Sequence, residues 1–235
     1  MRILYIYPHP DDESFGTAHV MNKQQREGHE VFLLTLTKGG ATKQRFKLNL
    51  SIEEMGEIRY KEMQKVEKVL KLSGMTVLDF PDSGLKELDP RILENAIKDE
   101  ITKTKPEVIV TYAVHGISGF HDHLVTHAVV KRAFVELKER YLYLKRLAFH
   151  TLTEDAAKKS TYFHLSWSTT EEIDCVITVD NQDLDAALNA LSCYETYQET
   201  ISRTKIKELL GNKCVFEIFN ETFHPPLEDL FTGIN

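Results

Sequence analysis

Short apolar runs alternate with stretches of helical spacing through the first 130 residues. Ile3-Leu4-Tyr5-Ile6-Tyr7 is nearly continuous and predicts a strand over 2–7 buried on both sheet faces. Ala18, Val20, Met21 and Gln25 then follow at helical spacing up to Glu27-Gly28, where the glycine suits a helix C-cap. Further apolar runs predict strands at 30–37, 76–80 and 106–112. Between them, Met55, Ile58, Met63, Val66 and Val69 share one helical face, and Ser51 with Glu54 has capping-box spacing. Pro90 starts another helix carrying Leu93, Ile97 and Ile101, and Leu124 to Leu137 marks a third. Strand, helix and strand in this rhythm predict an α/β fold: a Rossmann-like, mostly parallel sheet with helices on both faces and right-handed crossovers.

The carboxyl half is less regular. Strands are expected at 147–152, 162–165, 174–179 and 215–219, with one long helix over Asp183 to Leu210, together completing a single domain over 1–235. Residues 39–50 are glycine-led, polar and basic, without a period. They read equally well as a mobile loop over the strand ends and as a plain surface loop.

Composition narrows the partners. The 235 residues are 42% hydrophobic and 28% charged, enough for one sizeable core. A formal net charge of −7 gives no support for a nucleic-acid or membrane-surface partner. The basic groups at Lys138 to Arg140 and at Lys145-Arg146 read as solvated helix ends. Cys175, Cys193 and Cys214 are too widely spaced for a disulfide framework or a zinc–thiolate knuckle. No signal segment opens the chain and no apolar run approaches a membrane span, so a soluble, cytoplasmic protein is expected. A homo-oligomer contact is compatible with apolar positions in the carboxyl half, but nothing localises one.

Two polar clusters change the picture. Pro8-His9-Pro10-Asp11-Asp12-Glu13 follows the first strand, and His115 to His123, with His127 a turn further on, follows the fourth. Carboxyl ends of parallel strands are where open α/β sheets bind ligands. The bland reading of the first cluster is a helix entry, with Asp11 or Asp12 as N-cap. That of the second is a set of loop and cap histidines. Together, however, His9, Asp12 and His123 offer two imidazoles and one carboxylate, a donor set that leaves a position open on a catalytic metal. Zinc suits such nitrogen and oxygen ligands first, with iron, manganese or nickel as alternatives. Asp11, next to Asp12 but oriented differently, is the natural general base, and the chemistry is hydrolysis of an amide, ester or phosphate. His123 and His127 lie four apart, but HExxH is absent, so both are not assigned to metal. No GxGxxG follows the first strand, which removes support for dinucleotide binding. Asp82, in the turn after the third strand, is a candidate by position. Arg59 and Glu62, off the apolar stripe, read most simply as a surface ion pair.

These motifs in order resemble the LmbE/PIG-L deacetylases: strand-HPDDE, Thr37-Lys38-Gly39, Arg59-x-x-Glu62 and Gly116-x-Ser118-Gly119-x-x-Asp122-His123. The resemblance implies zinc-dependent removal of an N-acetyl group from a small-molecule N-acetylglucosamine conjugate. A bacillithiol-pathway enzyme acting on N-acetylglucosaminyl-malate is the nearest likeness. It implies zinc on His9, Asp12 and His123, Asp11 as base, and sugar contacts from Arg59, which replaces the surface-pair reading, and from Asp82. One position departs: where the family has an oxyanion histidine, three before the ligand histidine, this chain has Phe120. His121 or His224 is the expected substitute. An amidase for non-sugar amides and a metal- or sugar-binding module without catalysis are the alternatives.

Overall fold

In the computed structural model, which describes residues 1–234, the chain runs β1 (Arg2–Tyr7), α1 (Asp12–Gly16), α2 (Ala18–Arg26), β2 (Glu30–Thr37), α3 (Gln44–Lys47), α4 (Ile52–Val69) and β3 (Gly74–Phe80). It continues through α5 (Pro90–Thr104), β4 (Val108–Tyr112), α6 (His121–Lys138), β5 (Arg146–Thr151), α7 (Glu154–Lys158), β6 (Cys175–Thr178), α8 (Asn181–Cys193), α9 (Gln198–Thr204), α10 (Ile206–Leu209) and β7 (Lys213–Ile218). The seven strands form one sheet in the order β3-β2-β1-β4-β5-β7-β6. The first five are parallel, and β7 is antiparallel to both β5 and β6.

Successive β1 side chains, all buried from Ile3 on, alternate between two layers. Ile3, Tyr5 and Tyr7 face one apolar cluster, with α2, α4 and α8; Leu4 and Ile6 face the other, with α5 and α6. Because β1 pairs with β2 on one side and β4 on the other, the chain direction of growth reverses there. The carboxyl end of β1 is therefore the topological switch point, where such folds leave a crevice. Helix starts are locally encoded: α4 opens on the Ser51–Glu54 capping box, and α5 on an Asp89 cap with Pro90 at its first position.

Four expectations are corrected. Residues 162–165 form no strand, because the Ser160 hydroxyl binds both the N–H and the carbonyl of Phe163 and bends the chain. The long carboxyl helix is broken after α8. There the Glu62 carboxylate accepts the Thr196 N–H at 2.7 Å and its hydroxyl at 2.9 Å, and a 3₁₀ turn at Glu195–Tyr197 intervenes. A second break falls at Lys205, which is left-handed at φ 53°. Arg146 is not a solvated end but is 1% exposed, paired with Glu221 and donating to the Leu230 and Thr232 carbonyls. Nor do Arg59 and Glu62 form a surface pair. Both are buried, and they bind different partners.

Candidate metal centre

The turn after β1 is built to hold four side chains still. The Thr37 N–H and hydroxyl both donate to the Pro8 carbonyl, at 3.0 and 2.9 Å, tying the ends of β1 and β2 together. Asp11 then takes a left-handed backbone, φ 86°, unfavourable for a residue with a Cβ. Arg59 holds it there: one guanidinium nitrogen donates to the Pro10 carbonyl at 2.7 Å and to Asp11 Oδ2 at 2.6 Å. Asp11 occupies the N-cap position of α1 but makes no capping bond with its side chain. Its carboxylate is aimed at Arg59 instead.

His9, Asp12 and His123 converge. His9 Nδ1 lies 3.4 Å from Asp12 Oδ2, and His123 Nε2 lies 3.4 Å from Asp12 Oδ1. One donor atom from each residue falls within 4.8 Å of the others. The opposite ring nitrogens are already engaged. His123 Nδ1 sits 2.9 Å from the Gly116 carbonyl, so it carries the hydrogen and leaves Nε2 as the lone pair. His9 Nε2 sits 3.1 Å from Asp122 Oδ2, which in the same way leaves Nδ1 facing Asp12. This is the arrangement metal-binding imidazoles use, with the far N–H on a carboxylate or carbonyl. The donor set and its tautomers therefore fit a divalent cation. Gly116 makes the approach to His123 possible: its φ is +63°, and an added Cβ would stand 2.8 Å from His123 Cβ.

Three contributors were not assigned from sequence. Tyr112, the last residue of β4, donates to Asp12 Oδ1 at 2.8 Å and stacks on the His123 ring at 4.4 Å. Asp122, 2% exposed, accepts the Ser83 and Leu85 N–H groups as well as His9. Tyr197 lies 4.5 Å from the Arg59 guanidinium and screens it from solvent. Tyr112 had a legible signal, a polar residue ending the strand next to β1. Tyr197 had none.

Asp82 stands beside the cluster, with Oδ1 3.4 Å from His9 Nε2 and Oδ2 accepting the Ala41 N–H at 2.7 Å. That bond fixes the 39–50 segment, which is docked rather than hanging free: Gln44 bonds Thr200 and Lys47 pairs with Glu199 on α9. His121 is not brought in. Two helix positions before His123, it points to the opposite side of α6 and is exposed. Phe120, the extended N-cap residue of α6, meets the His123 ring instead, with centroids 5.6 Å apart. His224 lies at the other edge of the sheet, because β7 leaves toward the amino ends: Glu221 pairs with Arg146 at the start of β5 and Phe223 bonds Asp174 before β6. His115 bonds Thr151 and His127 bonds the Tyr112 carbonyl, so neither joins the set. Glu13 turns away to Ser14 and Tyr194.

Burial and charge set the protonation. Burial pushes Asp11 up to about 7; Arg59 opposes this, while Asp12 and Glu13 add to it. Burial also acts to raise Asp12, but His123 and His9 outweigh it and hold that carboxyl down at about 2. Burial would lower His9, yet Asp12 and Asp122 on its two nitrogens raise it to about 10. A cation on Nδ1 therefore displaces a proton. His123 is lowered, chiefly by burial, and is ready as a neutral ligand.

Fold and site together define an α/β protein with a hydrolase-type donor set at the switch point of its sheet. Residues 4–134 match the PIG-L family, described as GlcNAc-PI de-N-acetylase, and the chain belongs to that family. Among relatives, it is 34% identical over 152 residues to a mycothiol S-conjugate amidase of Streptomyces coelicolor, an alignment covering 57% of this chain and 52% of the relative. It is 31% identical over 161 residues to a 1D-myo-inositol 2-acetamido-2-deoxy-alpha-D-glucopyranoside deacetylase of Kineococcus radiotolerans, covering 57% and 45%. The chain spans about half the length of the curated relatives it matches. The solved zinc-inhibited form of teicoplanin deacetylase shares the fold, at a TM-score of 0.71 and 15% identity, covering 93% of this chain and 97% of that one.

Proposed function

We propose that this protein is a metal-dependent N-deacetylase acting on N-acetylglucosamine conjugates. The convergence of His9 Nδ1, Asp12 and His123 Nε2, with Asp11 alongside, is the observation that carries this reading. His9, Asp12 and His123 hold the cation, with zinc the first choice for such donors. The ion, once bound, supplies Lewis-acid polarisation of the amide carbonyl and lowers the pKa of water. Asp11 removes the proton from the attacking water and returns it to the leaving nitrogen as the C–N bond breaks, giving acetate and a free amino sugar. A carboxyl near 7 is well matched to both transfers. Arg59 serves by keeping Asp11 ionised, rather than by binding sugar with a guanidinium already engaged by Asp11 and Pro10. Asp82 faces the site and is proposed to take sugar hydroxyls. His121, turned outward, is given no role in the oxyanion step.

The substrate proposed first is N-acetylglucosaminyl-malate, as in bacillithiol synthesis, with inositol conjugates next because the family relatives are named for them. Among the described residues, no helix is long and apolar enough to cross a membrane. The test is acetate release from a panel of malate, inositol and phosphatidylinositol conjugates by metal-loaded and chelator-stripped protein. Turnover that needs metal supports the reading. Release from non-sugar N-acyl compounds alone makes it an amidase instead. No release from any member of the panel by the metal-loaded protein refutes it.

A further inference from the structure

Phe120, the extended N-cap residue just ahead of α6, packs on His123 yet is half exposed. Its ring stands edge-on to the His123 imidazole, with centroids 5.6 Å apart and planes at 82°. On its other side it meets Phe163 edge-on, at 5.8 Å and 90°, and Phe163 meets Tyr162 at 4.6 Å and 84°. The Arg203 guanidinium covers Tyr162 at 5.0 Å. The 160s segment is fixed against the metal-site loop, since the Ser166 N–H donates to the Ile117 carbonyl at 2.8 Å. Single exposed apolar side chains need no explanation. Phe120, Phe163 and Tyr162 run in successive edge contacts outward from a ligand imidazole and form an apolar wall beside the candidate metal centre.

We propose that this wall is a specificity subsite for an apolar, preferably aromatic, group attached close to the scissile amide. The inference rests on the deacylase reading of the metal site. The group comes either from the acyl chain, beyond acetyl, or from the sugar's aglycone. Both offer the same chemistry to Phe120 and Phe163: a flat apolar surface that completes edge-to-face packing and removes the rings from water. A polar group placed there finds no partner on these rings and loses hydration, so the wall selects against it.

The test is binding of two probe pairs to zinc-loaded protein by calorimetry. Acetohydroxamate against phenylacetohydroxamate reads the acyl source, and methyl against phenyl 2-amino-2-deoxyglucoside reads the aglycone. One pair should show the aryl member binding tighter by on the order of tenfold. Phe120→Ala should bring that pair to within about twofold, and Phe163→Ala, one step from the ligand histidine, should do so with zinc stoichiometry unchanged. Equal binding within both pairs overturns the subsite, as does a preference that survives both substitutions. An aryl preference that holds while no N-acetyl amino sugar releases acetate leaves the wall standing and overturns the deacetylase reading.

Discussion

Replacing Arg59 with methionine keeps much of the side chain's bulk and removes the cation bonded to Asp11. The guanidinium is 2.6 Å from Asp11 Oδ2, and both groups are buried. At an effective dielectric of about 20, a pair a few ångströms apart interacts by roughly 4 kcal/mol. Stranding one member of a buried pair costs roughly 3–5 kcal/mol unless the stranded group changes its protonation. Asp11, already raised to about 7, has that escape, so it takes up a proton. Arg59 acts to lower the Asp11 pKa, and its loss moves the acid limb of kcat/KM upward. At roughly 1.4 kcal/mol per pH unit, a shift of at least about 2 pH units is expected. At pH 7 that takes the ionised base from about half of the molecules to on the order of one in a hundred, and kcat/KM falls about 50-fold. Activity should then recover about tenfold per pH unit toward pH 9. Arg59→Lys, which keeps the charge but not the two-way fork, should fall between. The assay is acetate release across pH 5.5–9.5, with denaturant unfolding to check that the variant is folded. An unmoved profile with only KM raised would refute the proposed tuning of Asp11 and return Arg59 to sugar binding.

Asp122→Asn weakens the acceptor on His9 Nε2, and zinc affinity, measured against a chromophoric chelator, should drop on the order of 10- to 100-fold. An unchanged affinity would mean that Asp122 does not orient His9. His150 and His19 are buried as neutral rings, pushed down to about 3 and about 4, in both cases mainly by burial. The unfolded chain therefore binds more protons than the folded one below about pH 6.5. Stability is fully present above that pH and is lost progressively as pH falls toward those depressed values, by roughly 2 kcal/mol for each histidine between pH 6.5 and 4.5. Urea unfolding at the two pH values should show the loss, and His150→Gln should reduce it; an equal loss in the variant would clear His150.

What could be read from the chain, and what could not, follows the range of the interactions. β1, β2 and β4 were legible because strands covered on both faces carry unbroken apolar runs, and α4 because its capping box is local. His9, Asp12 and His123 could be paired across more than 100 residues because two polar clusters each terminated such a strand. The carboxyl half was harder. Helical periodicity over 183–210 carries no mark of the Glu62 carboxylate that captures Thr196 from another helix and breaks it. Arg146 and Arg59 looked like surface charges because their partners, Glu221 and Asp11, are set by tertiary packing. Nearness of His121 to His123 along the chain does not bring it to the site, because two positions around α6 turn a side chain to the other side.

Zinc titration of metal-stripped protein, in competition with a chromophoric chelator and with His123→Ala run beside the wild type, examines the convergence of the two clusters. One tightly held ion per chain is expected in the wild type, its uptake displacing a proton from His9. Loss of one ligand of three should weaken binding in His123→Ala by several orders of magnitude while the protein stays folded. Equal affinity in the two proteins would mean that His123 does not share a metal with His9 and Asp12.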